Sequence, residues 1–183
     1  TEVESFSNGC RQVGIKIVLT NGSFDLTHVG HVRYLAKARS FGDILIVGVD
    51  SDEKIRARKG EDRPLVPQDE RLEILAGLRS VDILVLKELH DEKWALIKAV
   101  RPDVLIVSET TRKNKPIPQI EIDELNQYCA DITILPAQAE TYTSTRIRDF
   151  TLNIGKRIKD ALEKAVPGIV ESVTGPLGSG KEE

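Results

Sequence analysis

Five short apolar runs, at 15–19, 44–49, 83–86, 104–107 and 132–135, constrain this chain more than any other feature. Each is rich in β-branched residues and apolar throughout, the pattern of strands covered on both faces. Amphipathic stretches lie between them. One runs over about 28–40 and stops at Gly42, and a short one follows an Asp50-Ser51 cap. Another starts after Pro67 with Leu72, Leu75, Ala76 and Leu78 on one side. A fourth surrounds Trp94, Ile97 and Val100, and a weaker one holds Ile122, Leu125 and Cys129. Strand and helix alternate, which predicts parallel strands joined by right-handed helical crossovers.

The expected fold is therefore α/β: a Rossmann-like doubly wound sheet of five parallel strands, helices on both faces, and a C-terminal helix. Residues 15–150 form the expected domain, and 1–14 read as a polar, aperiodic lead-in. Ile147, Phe150, Ile154, Ile158 and Leu162 make one broad face of a last helix, broken at Val166-Pro167-Gly168. Residues 151–173 are read as a helical extension, and 174–183 as a flexible tail resembling a cloning linker. A net charge of −3 with 30% charged residues argues against a nucleic-acid surface. No apolar run is long enough to span a membrane and no signal-peptide pattern is present, so a cytoplasmic protein is expected. Cys10 and Cys129 match no metal spacing, and no resident metal site is expected. Methionine is absent throughout, so short motifs rather than long intervals carry the reading.

In open α/β sheets, ligands bind beyond the carboxyl ends of the strands. The informative residues of this chain collect there. After the first strand comes Asn21-Gly22-Ser23-Phe24-Asp25-Leu26-Thr27-His28-Val29-Gly30-His31, where a strand hands over to a helix. A helix start offers unpaired N–H groups and the positive end of its dipole, a ready anion site. Gly22 lets backbone approach a ligand, and Gly30 lets the first helical turn lie flat against one. His28 and His31 can donate hydrogen bonds to phosphate oxygens and stabilise charge as a phosphoryl bond breaks. The bland alternative is a capped turn with exposed histidines. Asp25 either holds a Mg²⁺–water shell or fixes the turn by bonding backbone N–H groups, and the second is the stronger reading.

Three other strand ends contribute. Lys59 and Arg63 are cations in a Gly/Pro loop that can fold over a phosphate, against the alternative of a solvated basic surface shared with Arg56 and Arg58. Ser108, Glu109, Thr110 and Thr111 follow the fourth strand. Thr143-Ser144-Thr145-Arg146 is a hydroxyl-rich helix start suited to β- and γ-phosphates, or to plain N-capping. Lys16 and Trp94 read as structural, and His90 as surface.

Gly22-Ser23-Phe24-Asp25 with His28-Val29-Gly30-His31 resembles the signature of the cytidylyltransferase-like nucleotidyltransferases. The resemblance implies transfer of a nucleoside monophosphate from a nucleoside triphosphate with Mg²⁺ to a phosphorylated acceptor, with release of pyrophosphate and no covalent enzyme intermediate. Lys59-Gly60-x-x-Arg63-Pro64, Asp69-Glu70-Arg71 and Ser80-Val81-Asp82 look like the same region of sugar-phosphate and polyol-phosphate nucleotidyltransferases. They imply Lys59 and Arg63 over the reacting groups and Arg71 as an acceptor or phosphate contact. Ser144, Thr145 and Arg146 resemble the family's terminal motif and would hold the departing pyrophosphate, with Ser23, Phe24 and Gly30 lining the nucleotide.

The front part, 22–82, looks most like the heptose-phosphate adenylyltransferases and is also similar to the glycerol-3-phosphate cytidylyltransferases. Ser108-Glu109-Thr110 looks instead like pantetheine-phosphate adenylyltransferases. Ala139-Glu140-Thr141-Tyr142 stands where the cytidylyltransferases carry Arg-Thr-Glu-Gly, so that arginine is missing. The expectation is adenylyl transfer to a sugar phosphate, ahead of cytidylyl transfer to a polyol phosphate, by a homodimer. The rivals are a nucleotide-binding regulatory domain without catalysis and a purely structural domain.

Overall fold

A computed structural model describes residues 1–109, 116–139 and 144–165, without the side chains of 144–149 and 165. In chain order the elements are α1 (Glu2–Gln12), β1 (Ile17–Gly22), α2 (Val29–Arg39), β2 (Ile44–Asp50), α3 (Asp52–Lys59), α4 (Gln68–Ala76), β3 (Ile83–Lys87), α5 (Ala95–Val100), β4 (Val104–Ser108), α6 (Gln119–Leu125), β5 (Asp131–Leu135) and α7 (Ser144–Ala165). All strand pairings are parallel, in the order β3-β2-β1-β4-β5. The strand order reverses at β1, between β2 and β4, which is where such sheets form their binding crevice.

The five apolar runs become the five strands, and alternate side chains divide between two cores. On one face Val18, Val47 and Val49 pack with Tyr34 and Leu35 of α2 and Leu75 of α4. On the other Leu19, Ile46 and Leu105 pack with Leu96 and Ile97 of α5 and Leu125 of α6. At the amino-terminal edge, carboxylates of Asp43, Asp103 and Asp82 accept from the backbone N–H groups of Lys16, Ile17 and Leu45, at 2.7–2.8 Å. That edge is closed by its own hydrogen bonds, while the carboxyl edge carries the loops.

Residues 1–14, expected to be aperiodic, are helical over Glu2–Gln12. The missed signal is a capping box: Thr1 accepts from the Glu4 backbone N–H, and Glu4 reaches back to the N-cap. Ser7, Asn8 and Gly9 are poor helix formers, so packing has to hold the helix. Val3 and Cys10 pack on the second core, and Arg11 donates to the carbonyl of Val100 at 2.7 Å.

By its contacts the chain divides into two units, 1–141 and 142–183. The expected domain end at 150 thus falls inside α7. That helix is 22 residues long, and Phe150, Ile154, Ile158 and Leu162 on it are exposed. No helix of the described residues is long and apolar enough to cross a membrane.

Candidate active site

The site grows from the turn between β1 and α2. Phe24 and Leu26 both have left-handed backbone, at φ 50° and 52°, and flank Asp25. Non-glycine residues hold such angles only where the surroundings fix them. Asp25 supplies much of the fixing. One carboxylate oxygen accepts from the backbone N–H groups of Leu65 and Val66, at 3.0 and 3.1 Å, and the other from Arg63 Nη1 at 2.9 Å. Both side chains are buried. Asp25 therefore has the turn-fixing geometry, and Arg63 is spent on it. Gly22 is required by a close approach, since a Cβ there would lie 2.8 Å from the Phe24 ring. The approach is by the protein's own phenyl group.

Arg71 is fully buried in α4. Its guanidinium donates to the carbonyls of Val66, Ser23 and Asp50 at 3.0, 2.5 and 2.9 Å, and to the Asp52 carboxylate at 2.7 Å. It joins the β1–α2 turn, the end of β2, the start of α3 and the loop before α4. Beneath them Thr20 and Tyr34 share a 2.7 Å hydrogen bond and both reach the carbonyl of Ile106, tying α2 to β1 and β4. Burial pushes the Tyr34 hydroxyl up to about 12, so it stays a neutral donor.

On this frame stand the histidines. His28 is the N-cap of α2. Its Nδ1 accepts from the Gly30 N–H at 3.2 Å, and its own backbone N–H donates to Nδ1 of His31 at 3.4 Å. The rings stack with centroids 4.0 Å apart, and His31 meets the edge of Phe24 at 5.4 Å. Burial lowers the pKa of both. For His31 burial is the main cause, with the charges of His28 and Lys59 adding, and it falls from 6.5 to about 4. Both imidazoles are thus neutral at pH 7. A neutral ring whose Nδ1 accepts carries its proton on Nε2. The turn therefore sets both side chains as Nε2–H donors at a helix start.

Lys59 is the last residue of α3 rather than part of a loop. Its pKa is lowered by burial first and then by Arg58, with Asp25 and Asp50 opposing. The residue is exposed at the end of α3, and its charge helps to disfavour protonation of His31. Arg58 donates to Ser23 Oγ and to the Asp50 carboxylate, both at 2.8 Å. Sequence reading set Arg58 aside as basic surface; one turn of α3 puts it on the motif.

The structure thus brings together Gly22, Ser23, Phe24, Asp25, His28, Gly30, His31, Lys59, Arg63 and Arg71. By register Ser108 ends β4 level with Gly22, and Glu109 follows, exposed. Thr110 and the side chains of Ser144, Thr145 and Arg146 lie outside the described residues.

A turn of this kind at a strand-order reversal has known counterparts. The cytidylyltransferase-like family matches residues 19–150. This chain belongs to that family of nucleotidyltransferases. Bifunctional protein HldE of Aliarcobacter butzleri is 39% identical over 148 residues, covering 81% of this chain and 30% of that protein. HldE of Nitratiruptor is 49% identical over 105 residues, covering 57% of this chain and 22% of that protein. The chain thus spans less than a third of these relatives. Among solved structures, a lipopolysaccharide core biosynthesis protein from Thermoplasma volcanium is similar with TM-score 0.55 and 25% identity, covering 70% of this chain and all of that one. Pantoate-beta-alanine ligase from Francisella tularensis shares the fold, with TM-score 0.58, 18% identity and coverage of 81% of this chain and 70% of the ligase.

Proposed function

We propose that this domain transfers AMP from Mg·ATP to a sugar phosphate and releases pyrophosphate. The observation that carries it is the pair of neutral, Nε2-protonated histidines at the start of α2, with Lys59 beside them. An oxygen of the acceptor phosphate attacks the α-phosphorus in line. The new P–O bond forms as the bond from the α-phosphorus to the bridging oxygen breaks, and that oxygen leaves with the electron pair on pyrophosphate. Imidazole N–H groups fixed before the reaction donate to phosphoryl oxygens as their charge grows, at no cost of reorientation. Lys59, at the end of α3 near the histidines, adds a positive charge that can act on the same oxygens. The cation arrives with the triphosphate. Among the described residues no cluster of His, Cys, Asp or Glu is built to hold a metal, and both oxygens of Asp25 are engaged. The divalent ion would neutralise charge on the triphosphate.

Adenine ranks above cytosine on the heptose-type front half and on Ala139 standing where cytidylyltransferases carry an arginine. A sugar acceptor, of the heptose-phosphate kind, is supported by the same front half and by the lipopolysaccharide core biosynthesis protein among similar structures. The homodimer and the cytoplasmic location expected from sequence belong to this proposal too.

The test is pyrophosphate release from ATP and CTP, each with heptose phosphate, glycerol 3-phosphate and phosphopantetheine. We expect the ATP and heptose phosphate pair to be fastest. Lys59→Ala should bind ATP within a few-fold of the parent yet turn over poorly, since its charge counts most as the bond breaks. Faster turnover of CTP with glycerol 3-phosphate would reverse the ranking. No release with any pair would leave a nucleotide-binding or structural domain.

A further inference from the structure

The carboxyl edge of the sheet carries a second concavity on the face opposite α2. It encloses about 270 Å³ between Asn21, Lys54, Lys87, Asp91, Trp94 and Leu96. Strand register explains its floor. Asn21 of β1 lies beside Gly48 of β2, and Gly48 beside Val85 of β3. On this face the row below is apolar, from Leu19 and Ile46. At the next level the side chains are an amide, none at all, and, two residues on in β3, a lysine.

Gly48 is what makes room. A Cβ there would sit 2.1 Å from Asn21 Oδ1, 2.7 Å from Leu96 and 2.8 Å from Lys87. The Asn21 amide lies in the niche that glycine leaves. Its buried Oδ1 has no hydrogen-bond partner. A buried amide oxygen without a partner costs stability, because water has been lost and nothing has replaced it. A buried polar group with no protein role, bordering a cavity, points to a ligand that completes it. Turning about its last torsion offers either an acceptor or a donor at the pocket floor.

The walls are held more firmly. Trp94 stands at the start of α5 with a left-handed backbone, φ 63°. Its indole N–H donates to Glu124 at 3.0 Å. A wide aromatic face is thereby fixed in position before any ligand arrives. Lys54 donates to the carbonyl of Glu88 at 2.7 Å, and Lys87 to Asp50 at 3.2 Å. Asp50 also accepts from Arg58, which holds Ser23. Two ion pairs and a hydrogen bond, Lys87–Asp50–Arg58–Ser23, therefore join this pocket to the phosphate turn.

We propose that this pocket binds the polyhydroxylated body of the acceptor, with the Asn21 amide, seated by Gly48, reading its hydroxyls and Trp94 packing against its apolar face. The proposal rests on the nucleotidyl-transfer reading for what the acceptor is. A fixed ring, an unsatisfied amide and flanking lysines suit a phosphorylated polyol. The nucleotide belongs on the other side of β1, where the strand order reverses toward β4. Asn21 and Trp94 then set acceptor specificity and touch no bond that breaks.

Trp94 is the only tryptophan in the chain, so its emission reports on this pocket directly. The full chain is titrated with heptose phosphate, with inorganic phosphate and with ATP. The sugar titration is repeated in saturating α,β-methylene ATP, whose α–β bridge cannot be cleaved to release pyrophosphate. We expect heptose phosphate to shift the emission while inorganic phosphate and ATP do not. Asn21→Ala should weaken that titration about tenfold, the effect of one hydrogen bond. ATP affinity, read by calorimetry, should stay the same. Gly48→Ala, which crowds the amide out of its niche, should act in the same direction. If it fails to fold, Asn21→Ala carries the test alone. An emission response to ATP rather than sugar would make this the nucleotide pocket and overturn the proposal. So would an Asn21→Ala protein that binds heptose phosphate as the parent does. None of these readouts uses turnover, so loss of the pocket and loss of nucleotidyl transfer are told apart.

Discussion

The two sides of the β1 carboxyl end are built by different rules. Toward α2 most working groups, Lys59 apart, come from ten consecutive residues, Gly22 to His31, and mainly local geometry sets the histidines: a turn, an N-cap, two backbone-to-ring hydrogen bonds. Toward α5 the pocket comes from Asn21, Gly48, Lys87 and Trp94, which strand order alone brings together. The first side repeats wherever the motif repeats. The second changes with any substitution that alters one strand's row. The difference suits a division of labour in which the chemistry stays on a contiguous motif and selection of the acceptor falls to residues that vary independently.

The largest effect should come from the residue that joins the two sides. Arg71 bonds Ser23 of the turn and Asp50, the end of the strand that supplies Gly48. Arg71→Ala leaves Asp52 without its buried partner and three carbonyls with one donor fewer. Breaking such a pair typically costs about 3–5 kcal/mol. Urea unfolding should show a loss of that order, and Arg71→Lys should recover only part of it, because one ammonium cannot serve four divergent acceptors. A stable Arg71→Ala protein with a raised acceptor KM would make Arg71 the substrate contact that sequence suggested.

Next in size is the split between the two sides. His28→Ala and His31→Ala should each lower kcat by about 10²–10³, the usual loss for a donor to developing phosphoryl charge. Both should leave the response of Trp94 emission to heptose phosphate unchanged. Turnover near the parent's in both variants would remove the histidines from the chemistry. A lost emission response in the histidine variants would show that the sides are one site.

Legibility followed the same division. All five strands and the helices over 29–125 could be read because apolar periodicity reports burial, and burial made them. The phosphate turn could be read because its parts are adjacent in sequence. Arg63 and Arg71 drew attention as charges beside a phosphate site, yet sequence cannot say which charges are buried and already paired; in the fold Arg63 lies on Asp25 and Arg71 on four acceptors. Sequence singled out Lys59 by its resemblance and left Arg58 to the basic surface. The turn of α3 separated them, with Arg58 on Ser23 and Asp50 and Lys59 close to His31. Asn21 stands in sequence only as the first residue of the motif stretch and Gly48 not at all, since their pairing means nothing until β1 and β2 are in register.

The smallest effect is a pH dependence that belongs to the α2 side alone. In the folded chain His31 titrates at about 4, against 6.5 ordinarily, chiefly because it is buried. Between those values the unfolded chain holds a proton there that the native chain does not. Stability therefore falls as pH drops from about 6.5 toward 4 and is regained as it rises. The full difference corresponds to about 3 kcal/mol, an upper figure because His31 keeps some contact with solvent. Carboxylates titrate over part of the same range, so the measurement needs a reference. His31→Asn removes the titrating ring and keeps a side-chain oxygen able to accept from the His28 N–H. Urea unfolding of both proteins from pH 4 to 7 should show the parent losing more stability than His31→Asn on acidification, with the gap opening below pH 6.5. Asn21→Ala should keep the parent's slope, because the residues lining its pocket include no histidine. Parallel profiles for the parent and His31→Asn would mean that His31 meets water freely, and the neutral Nε2–H donor assigned to it would have to be withdrawn.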